Sequence, residues 1–338
     1  MDTLLIDAWM TGTDPLPTID GASVSLAREA VRALGAELGL DQTVIERAAV
    51  AASELVQNQL VHARRGQFAL RSAPRGSVAG LEIVAADQGP GIADPALALA
   101  GMGPSARSLG AGVSAVWRMM DEMDVDVRWG EGSCIRARVF AEPAPRRREI
   151  GVLGRPFAEE SVSGDHAAFV REEGVLVAAV VDGIGHGPLA RDAAARAIHT
   201  FLEQCRSSPA AVLKACDAAL HGTRGAVMAI ARIDEEAATM EHASTGNINT
   251  RLERFRAARR FAGSASTLGA RGPGRQAAVE TTALDRDEVL VMFTDGLVTR
   301  AAISEDPDLF REHPIVIAQR LLLSFGRSHD DALVLVAR

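Results

Sequence analysis

Residues 141–149 read Ala-Glu-Pro-Ala-Pro-Arg-Arg-Arg-Glu, and no other stretch constrains the fold of this chain as much. Two prolines disfavour helix, and three adjacent arginines repel one another and stay solvated. The stretch reads as a linker between residues 1–140 and residues 150–338, two lengths that each suit one domain. In the first half, residues 23–38 and 41–63 carry apolar residues at helical spacing, split at Gly39. Residues 68–72 and 81–86 read as strands, 115–123 as a helix, and 125–129 with 133–140 as a hairpin around Gly130-Glu131-Gly132. Residues 1–20, with Pro15 and Pro17, read as loosely ordered, with 4–6 as an edge strand. In the second half, 175–181 is an apolar run ending at Asp182. Residues 189–204 and 209–221 read as helices, and 226–233, 239–244, 289–293 and 332–336 as strands. That pattern suits an α+β sandwich with helices outside its sheets.

Composition removes several functions. Lys214 is the one lysine among 36 basic residues, and it sits in a helical Ala/Leu stretch with no glycine-rich loop nearby. A Walker A loop, a kinase-type strand lysine and Schiff-base chemistry therefore lack their residue. Any nucleotide phosphates must be held by backbone N–H groups, arginine or a metal ion. A net charge of −8 argues against nucleic acid as a general partner. Cys134, Cys205 and Cys216 show no paired spacing and read as core residues of a cytoplasmic protein. The first residues, Met-Asp-Thr-Leu-Leu, place an acid where a signal peptide has basic residues, and no apolar run is long enough to span a bilayer.

Two groups of residues carry chemistry. On the helix at 41–63, Glu54 and Asn58 lie four apart on one face, with His62 a turn later, while Leu55, Val56, Leu60 and Val61 supply apolar surface. Such a pair can hold a hydrated Mg2+ and orient a hydroxyl; it can equally be the polar side of an amphipathic helix. The strand at 81–86 runs into Asp87-Gln88-Gly89-Pro90-Gly91, where a strand-end carboxylate can accept from an exocyclic amine while the chain passes close to a ligand. Ser108-Leu109-Gly110-Ala111-Gly112-Val113 directly precedes a helix, whose N–H groups favour phosphate.

The second half holds Ser163-Gly164-Asp165, Asp182-Gly183-Ile184-Gly185-His186-Gly187, Gly246-Asn247, Thr294-Asp295-Gly296 and His329-Asp330-Asp331. Asp182, Asp295 and Asp330 stand at strand ends, where neighbouring carboxylates can converge on hard divalent cations and two ions can activate a water against phosphorus. Each Asp-Gly pair alone is ordinary turn material. His186 is either a proton donor or a loop residue before the helix. Arg155, Arg171 and Arg191 are phosphate candidates that the sequence does not separate.

In their joint order, ELVQN, DQGPGIAD, SLGAGVSAVWRMMDE and GEGSCIRARV resemble the nucleotide-binding boxes of the GHKL (Bergerat) ATPase fold, over about residues 20–140. Within it they are most similar to the small serine kinases of bacterial partner switching. The resemblance implies an α/β sandwich in which Asn58 ligates the Mg2+ of ATP, Asp87 binds the adenine amine, Glu54 is general base toward a protein hydroxyl, and Gly89, Gly91, Gly110 and Gly112 line the nucleotide. The segment 102–108, with Pro104 and Arg107, departs from the family lid, Val113 replaces its last Leu, and Ser133 stands where Thr is usual. The second half resembles the metal-dependent PPM-type Ser/Thr phosphatases, in the compact branch of sporulation and stress-response enzymes, with Arg224-Gly225-Ala226 also matching. That implies an α-β-β-α sandwich with two Mn2+ or Mg2+ ions, Asp182 bridging them, Gly183 offering its carbonyl, Asp295 and Asp330 completing one shell, and Asp165 supporting the second ion. Asp331 orients a neighbour instead of binding metal, and the short segment 263–278 leaves the site open to a folded partner.

Together these resemblances imply a bifunctional regulator: a Ser/Thr phosphatase of STAS-type proteins fused to an ATP-binding serine-kinase-like domain. Further partners would be a downstream phosphatase or a sigma or anti-sigma factor. The alternative makes the first half a non-catalytic ATP-gated sensor or anti-sigma-like binding module.

Overall fold

The computed structural model describes residues 4–63, 65–102, 112–143, 147–172, 174–270 and 277–338, and the chain divides into two units, Met1–Ile150 and Gly151–Arg338.

The first unit comprises α1 (Leu4–Trp9), β1 (Leu16–Thr18), α2 (Ala22–Glu37), α3 (Gln42–His62), β2 (Gly66–Ser72), β3 (Gly80–Asp87), α4 (Pro95–Leu99), α5 (Val113–Met119), β4 (Glu122–Arg128) and β5 (Gly132–Phe140). Its sheet runs β1-β2-β3-β5-β4 and is antiparallel throughout. Asp41 caps α3 by accepting the Thr43 N–H at 2.8 Å. Ile45, Ala48, Ala52, Leu55 and Val56 recur at helical spacing and are buried. The buried Gln59 amide clips α3 to the sheet by donating to Gln67 O at 2.9 Å and Ala86 O at 3.0 Å.

Several sequence expectations change here. Residues 4–6 form no edge strand: they open α1, whose Leu5, Ile6 and Trp9 are buried with Ala69, Val84, Ala86 and Cys134. Trp9 Nε1 also donates to Asp126 Oδ2 at 2.8 Å, so the N-terminal segment is bound to the sheet and not loose. The helix expected over 115–123 ends at Met119, because Glu122 already pairs with Arg138 in the β4–β5 ladder. Val61 is exposed and adds nothing to the apolar side of α3. The end of the linker stretch is not free either: Met123 N–H donates to the buried Glu149 at 2.8 Å, and Arg147 N–H donates to Glu122. Glu122 draws Arg147 in, its guanidinium 3.9 Å from the carboxylate, so that residue is not left to solvent.

The second unit comprises β6 (Ile150–Arg155, starting at the boundary), β7 (Asp165–Glu172), β8 (Val175–Gly183), α6 (Pro188–Gln204), α7 (Pro209–Ala219), β9 (Ala226–Asp234), β10 (Thr239–Ser244), β11 (Asn249–Arg254), β12 (Ala257–Phe261), β13 (Glu280–Ala283), β14 (Val289–Phe293), α8 (Pro314–Phe325) and β15 (Ala332–Ala337). Two sheets, β6-β15-β14-β11-β12 and β13-β10-β9-β8-β7, carry α8 on the first and α6 with α7 on the second. The result is a helix–sheet–sheet–helix sandwich. Buried on both faces, β8, β14 and β15 are the continuous apolar runs of the sequence. No helix among the described residues is long and apolar enough to cross a membrane.

Candidate active site

Asp165 and Asp182 are direct cross-strand partners at the ends of β7 and β8. Like charges in that position repel. Burial and the Asp182 charge push the Asp165 carboxyl well above the usual range, although a bond from Thr294 opposes the shift. Burial, then the charges of Asp295, Asp330 and Asp331, push Asp182 up to about 8. Burial and Asp295 raise Asp330 as well. Thus the structure brings Asp165, Asp182, Asp295 and Asp330 within mutual electrostatic reach. None of the four ion-pairs with a basic side chain among the described residues. Uncompensated carboxylates with hard oxygen donors fit a divalent cation. No three His, Cys, Asp or Glu among the described residues form a ready ligand set. Mg2+ accommodates this, because it keeps several waters and takes few carboxylates.

The surrounding bonds fix these acids. Thr294 Oγ1 donates to Asp165 Oδ2 at 2.6 Å and accepts the Leu333 N–H at 3.0 Å. Asn247 Nδ2 donates to Asp295 Oδ2 at 2.8 Å, which gives the Gly-Asn motif a positioning role. Asp331 Oδ1 accepts from Phe157 N–H at 2.6 Å and its Oδ2 from Gly164 N–H at 2.7 Å. Both oxygens are engaged with backbone. Gly183 has no room for a side chain, since a Cβ there would collide with the Ala190 carbonyl. His186 is exposed; its Nδ1 lies 2.7 Å from Glu160 Oε1, and its ring meets Phe157 edge-on at 5.5 Å. Sequence reasoning missed Glu160, the second of two adjacent acids in the loop before Ser163, where nothing in the spacing sets it apart from Glu159.

The three candidate arginines fare differently. Arg155 donates to the carbonyls of Asp330, at 3.2 Å, and of Arg327. Arg171 pairs with Glu235 at 2.9 Å. Arg191 is buried within α6.

In the first unit, Glu54 and Asn58 are half-buried on α3. Asp87 ends β3 opposite Ser133. Ser133 Oγ donates to Asp87 Oδ2 at 2.7 Å, and Gly89 N–H donates to Oδ1 at 2.8 Å. Burial raises the Asp87 carboxyl while these bonds, Ser133 first, oppose the shift. An acceptor held this way at a strand end suits an amine donor, so the residues fit an adenine ring. Gly91 packs on the Arg128 carbonyl, 3.0 Å from where its Cβ would stand. Gly112 stands at the N-cap of α5. Gly110 and positions 103–108 of the expected lid lie outside the described residues.

Residues 172–338 match the family of Stage II sporulation protein E (SpoIIE), and residues 18–139 match the histidine kinase-like ATPase domain. The first match begins after Asp165. The serine/threonine-protein kinase RsbT of Bacillus subtilis (strain 168) is 36% identical over 111 residues, which are 33% of this chain and 84% of that protein. A solved structure described as "The bacterial stressosome: a modular system that has been adapted to control secondary messenger signaling" is similar at TM-score 0.53 and 28% identity, over 57% of this chain and 100% of that one. The chain therefore belongs to the RsbT-like serine/threonine-protein kinases through its first unit and joins to it, in one polypeptide, a domain that matches the Stage II sporulation protein E family.

Proposed function

We propose that the second unit hydrolyses phosphoserine or phosphothreonine on STAS-type partner-switching proteins in the cytoplasm, with two Mn2+ or Mg2+ ions held by Asp165, Asp182, Gly183 O, Asp295 and Asp330. The observation that carries this reading is the opposed Asp165–Asp182 pair, whose repulsion no basic side chain among the described residues relieves. Bound divalent ions supply Lewis-acid polarisation and a water of lowered pKa. The chain's own residues do the positioning. Thr294 and Asn247 orient Asp165 and Asp295, and Asp331 ties the segments around Phe157 and Gly164 together. The likeness to RsbT and to a structure described under the bacterial stressosome supports a protein of the same signalling layer as substrate.

The first unit, in the same reading, binds ATP–Mg through Asn58 and Asp87, with Glu54 as general base toward a partner hydroxyl and Gly89, Gly91, Gly110 and Gly112 along the nucleotide. A domain boundary in the stretch 141–149 separates the two activities. Mn2+-dependent hydrolysis of a phosphoserine peptide tests the phosphatase half. Asp182→Asn should abolish it, and activity surviving that change removes the metal assignment. Transfer of labelled phosphate from ATP to a STAS protein, lost in Asn58→Ala, tests the kinase half. ATP binding without transfer would assign that unit as a gated binding module.

A further inference from the structure

We propose that Arg224 anchors the substrate phosphate beside the acid cluster. The inference rests on the phosphatase reading above and adds the basic side chain that reading lacks. A phosphate monoester that reaches ions held by Asp182, Asp295 and Asp330 still has further oxygens to satisfy, and a guanidinium offers them a planar fork of donors. Arg155 and Arg171 spend their donors on carbonyls and on Glu235. Arg191 is buried, at 4% exposure. Arg224, by contrast, is exposed and has no acidic partner among the described residues.

Its position follows from the β8–β9 ladder. Asp182 pairs with Val227 and Gly183 with Ala226. The Ile184 N–H then donates to the Gly225 carbonyl at 3.1 Å, so the register continues past the named strands. The next step sets Arg224 beside Gly185 on the loop that follows Asp182. The side chain confirms this, because a Cβ built on Gly185 would stand 3.0 Å from Arg224 Nη1. On its other side, Gly185 O lies 3.5 Å from the Cβ position of Gly164, whose N–H is bonded to Asp331. The guanidinium therefore lies over the loop that joins Asp182 to the Asp331 clamp.

The backbone around Arg224 is fixed while the side chain reaches outward. Thr223 Oγ1 donates to Leu220 O at 2.7 Å and accepts the Gly225 N–H at 3.0 Å. Gly225 has a φ of +84° and a Cβ position 2.6 Å from Leu268 O, so only glycine fits there. Ala226 and Leu268 exchange two backbone bonds just beyond. With the backbone already fixed, only side-chain freedom is lost when this arginine takes a ligand.

The test measures phosphoserine-peptide hydrolysis in saturating Mn2+, and its competitive inhibition by inorganic phosphate, for the full chain and for Arg224→Ala and Arg224→Lys. Losing a charged hydrogen bond should raise KM and the phosphate inhibition constant together by about 10- to 100-fold in Arg224→Ala, with the larger part of the loss in KM. Arg224→Lys should recover part of it, keeping the charge without the fork. Unchanged melting temperatures exclude a folding effect. If KM and phosphate inhibition in Arg224→Ala match the unaltered protein, the anchor is overturned while the phosphatase reading stands. Asp182→Asn is the separate control, since hydrolysis surviving in that variant sinks the phosphatase reading itself.

Discussion

The hydroxyl of Thr294 stands between a buried amide and a buried acid, taking the Leu333 N–H and giving its own hydrogen to Asp165 at 2.6 Å. The incoming N–H fixes the direction of the hydroxyl proton. Thr294→Val keeps the shape but leaves the Leu333 amide without that acceptor. It should lose about 1–3 kcal/mol of stability, read by urea denaturation, together with Mn2+-dependent hydrolysis, and Thr294→Ser should restore both. Native stability in the valine variant would show that the relay contributes nothing.

Glu160 holds His186 at 2.7 Å, and its carboxylate also lies against Gly187, 2.8 Å from where a Cβ there would stand. A carboxylate on Nδ1 fixes the tautomer and leaves Nε2 to act on substrate. His186→Gln should lower kcat by about 100-fold, the usual scale for one acid–base group. Glu160→Gln should lower it less and displace the pH profile, as a positioning residue does. Unaltered kcat and pH dependence in both variants would remove His186 from the chemistry.

Ser133 and Asp87 form the corresponding pair in the first unit. Ser133→Ala removes one donor to a carboxylate that burial already disfavours as an anion. Affinity for an ATP analogue, measured by titration calorimetry, should fall about 10-fold, whereas Ser133→Thr should keep it. Equal affinity in all three proteins would argue that Asp87 does not receive the adenine.

His242 is buried on β10 against the Phe261 ring, and burial pulls its pKa down to about 4, with Glu280 opposing the shift. The unfolded chain binds this proton near pH 6.5 and the folded chain only near 4, so between those values the unfolded state holds more protons. Stability therefore rises with pH across that window and is lost as pH falls through it, by up to roughly 3 kcal/mol. His242→Phe should flatten that slope in melting curves taken from pH 4 to 7. A slope that survives the substitution belongs to other groups.

What the sequence made legible follows from how each element is buried. Strands β8, β14 and β15 lie between layers, so each reads as an unbroken apolar run, and the acid at its end stands out. Strand β12 is Ala-Ala-Arg-Arg-Phe with only its last residue buried, so no alternation marks it. Strand β6 carries two glycines, and β7 mixes acids, arginine and apolar residues. Helix α8 opens on Ile315-Val316-Ile317, β-branched residues that hide its helical period, although Pro314 at its first turn was a usable signal. Helix α1 is six residues long, shorter than the window in which periodicity is measurable. At the sites, the acids were visible as motifs. Glu160 was not, because it is brought to His186 by the path of the chain and not by spacing. Arg224 was visible as part of a motif, but only the ladder register gives it a place.

Asp165 and Asp182 face each other because β7 and β8 meet in one particular register, and side chains in a strand alternate between faces every residue. Removing one residue from the interior of β8 would turn Asp182 away from its partner and set its neighbour in that place, even though every acid remained in the sequence. Removing two would restore the facing and shorten the strand. The chemistry of this unit is thus encoded as a parity: its strands tolerate length changes in pairs, and a single-residue deletion far from any acid should be as damaging as replacing the acid itself.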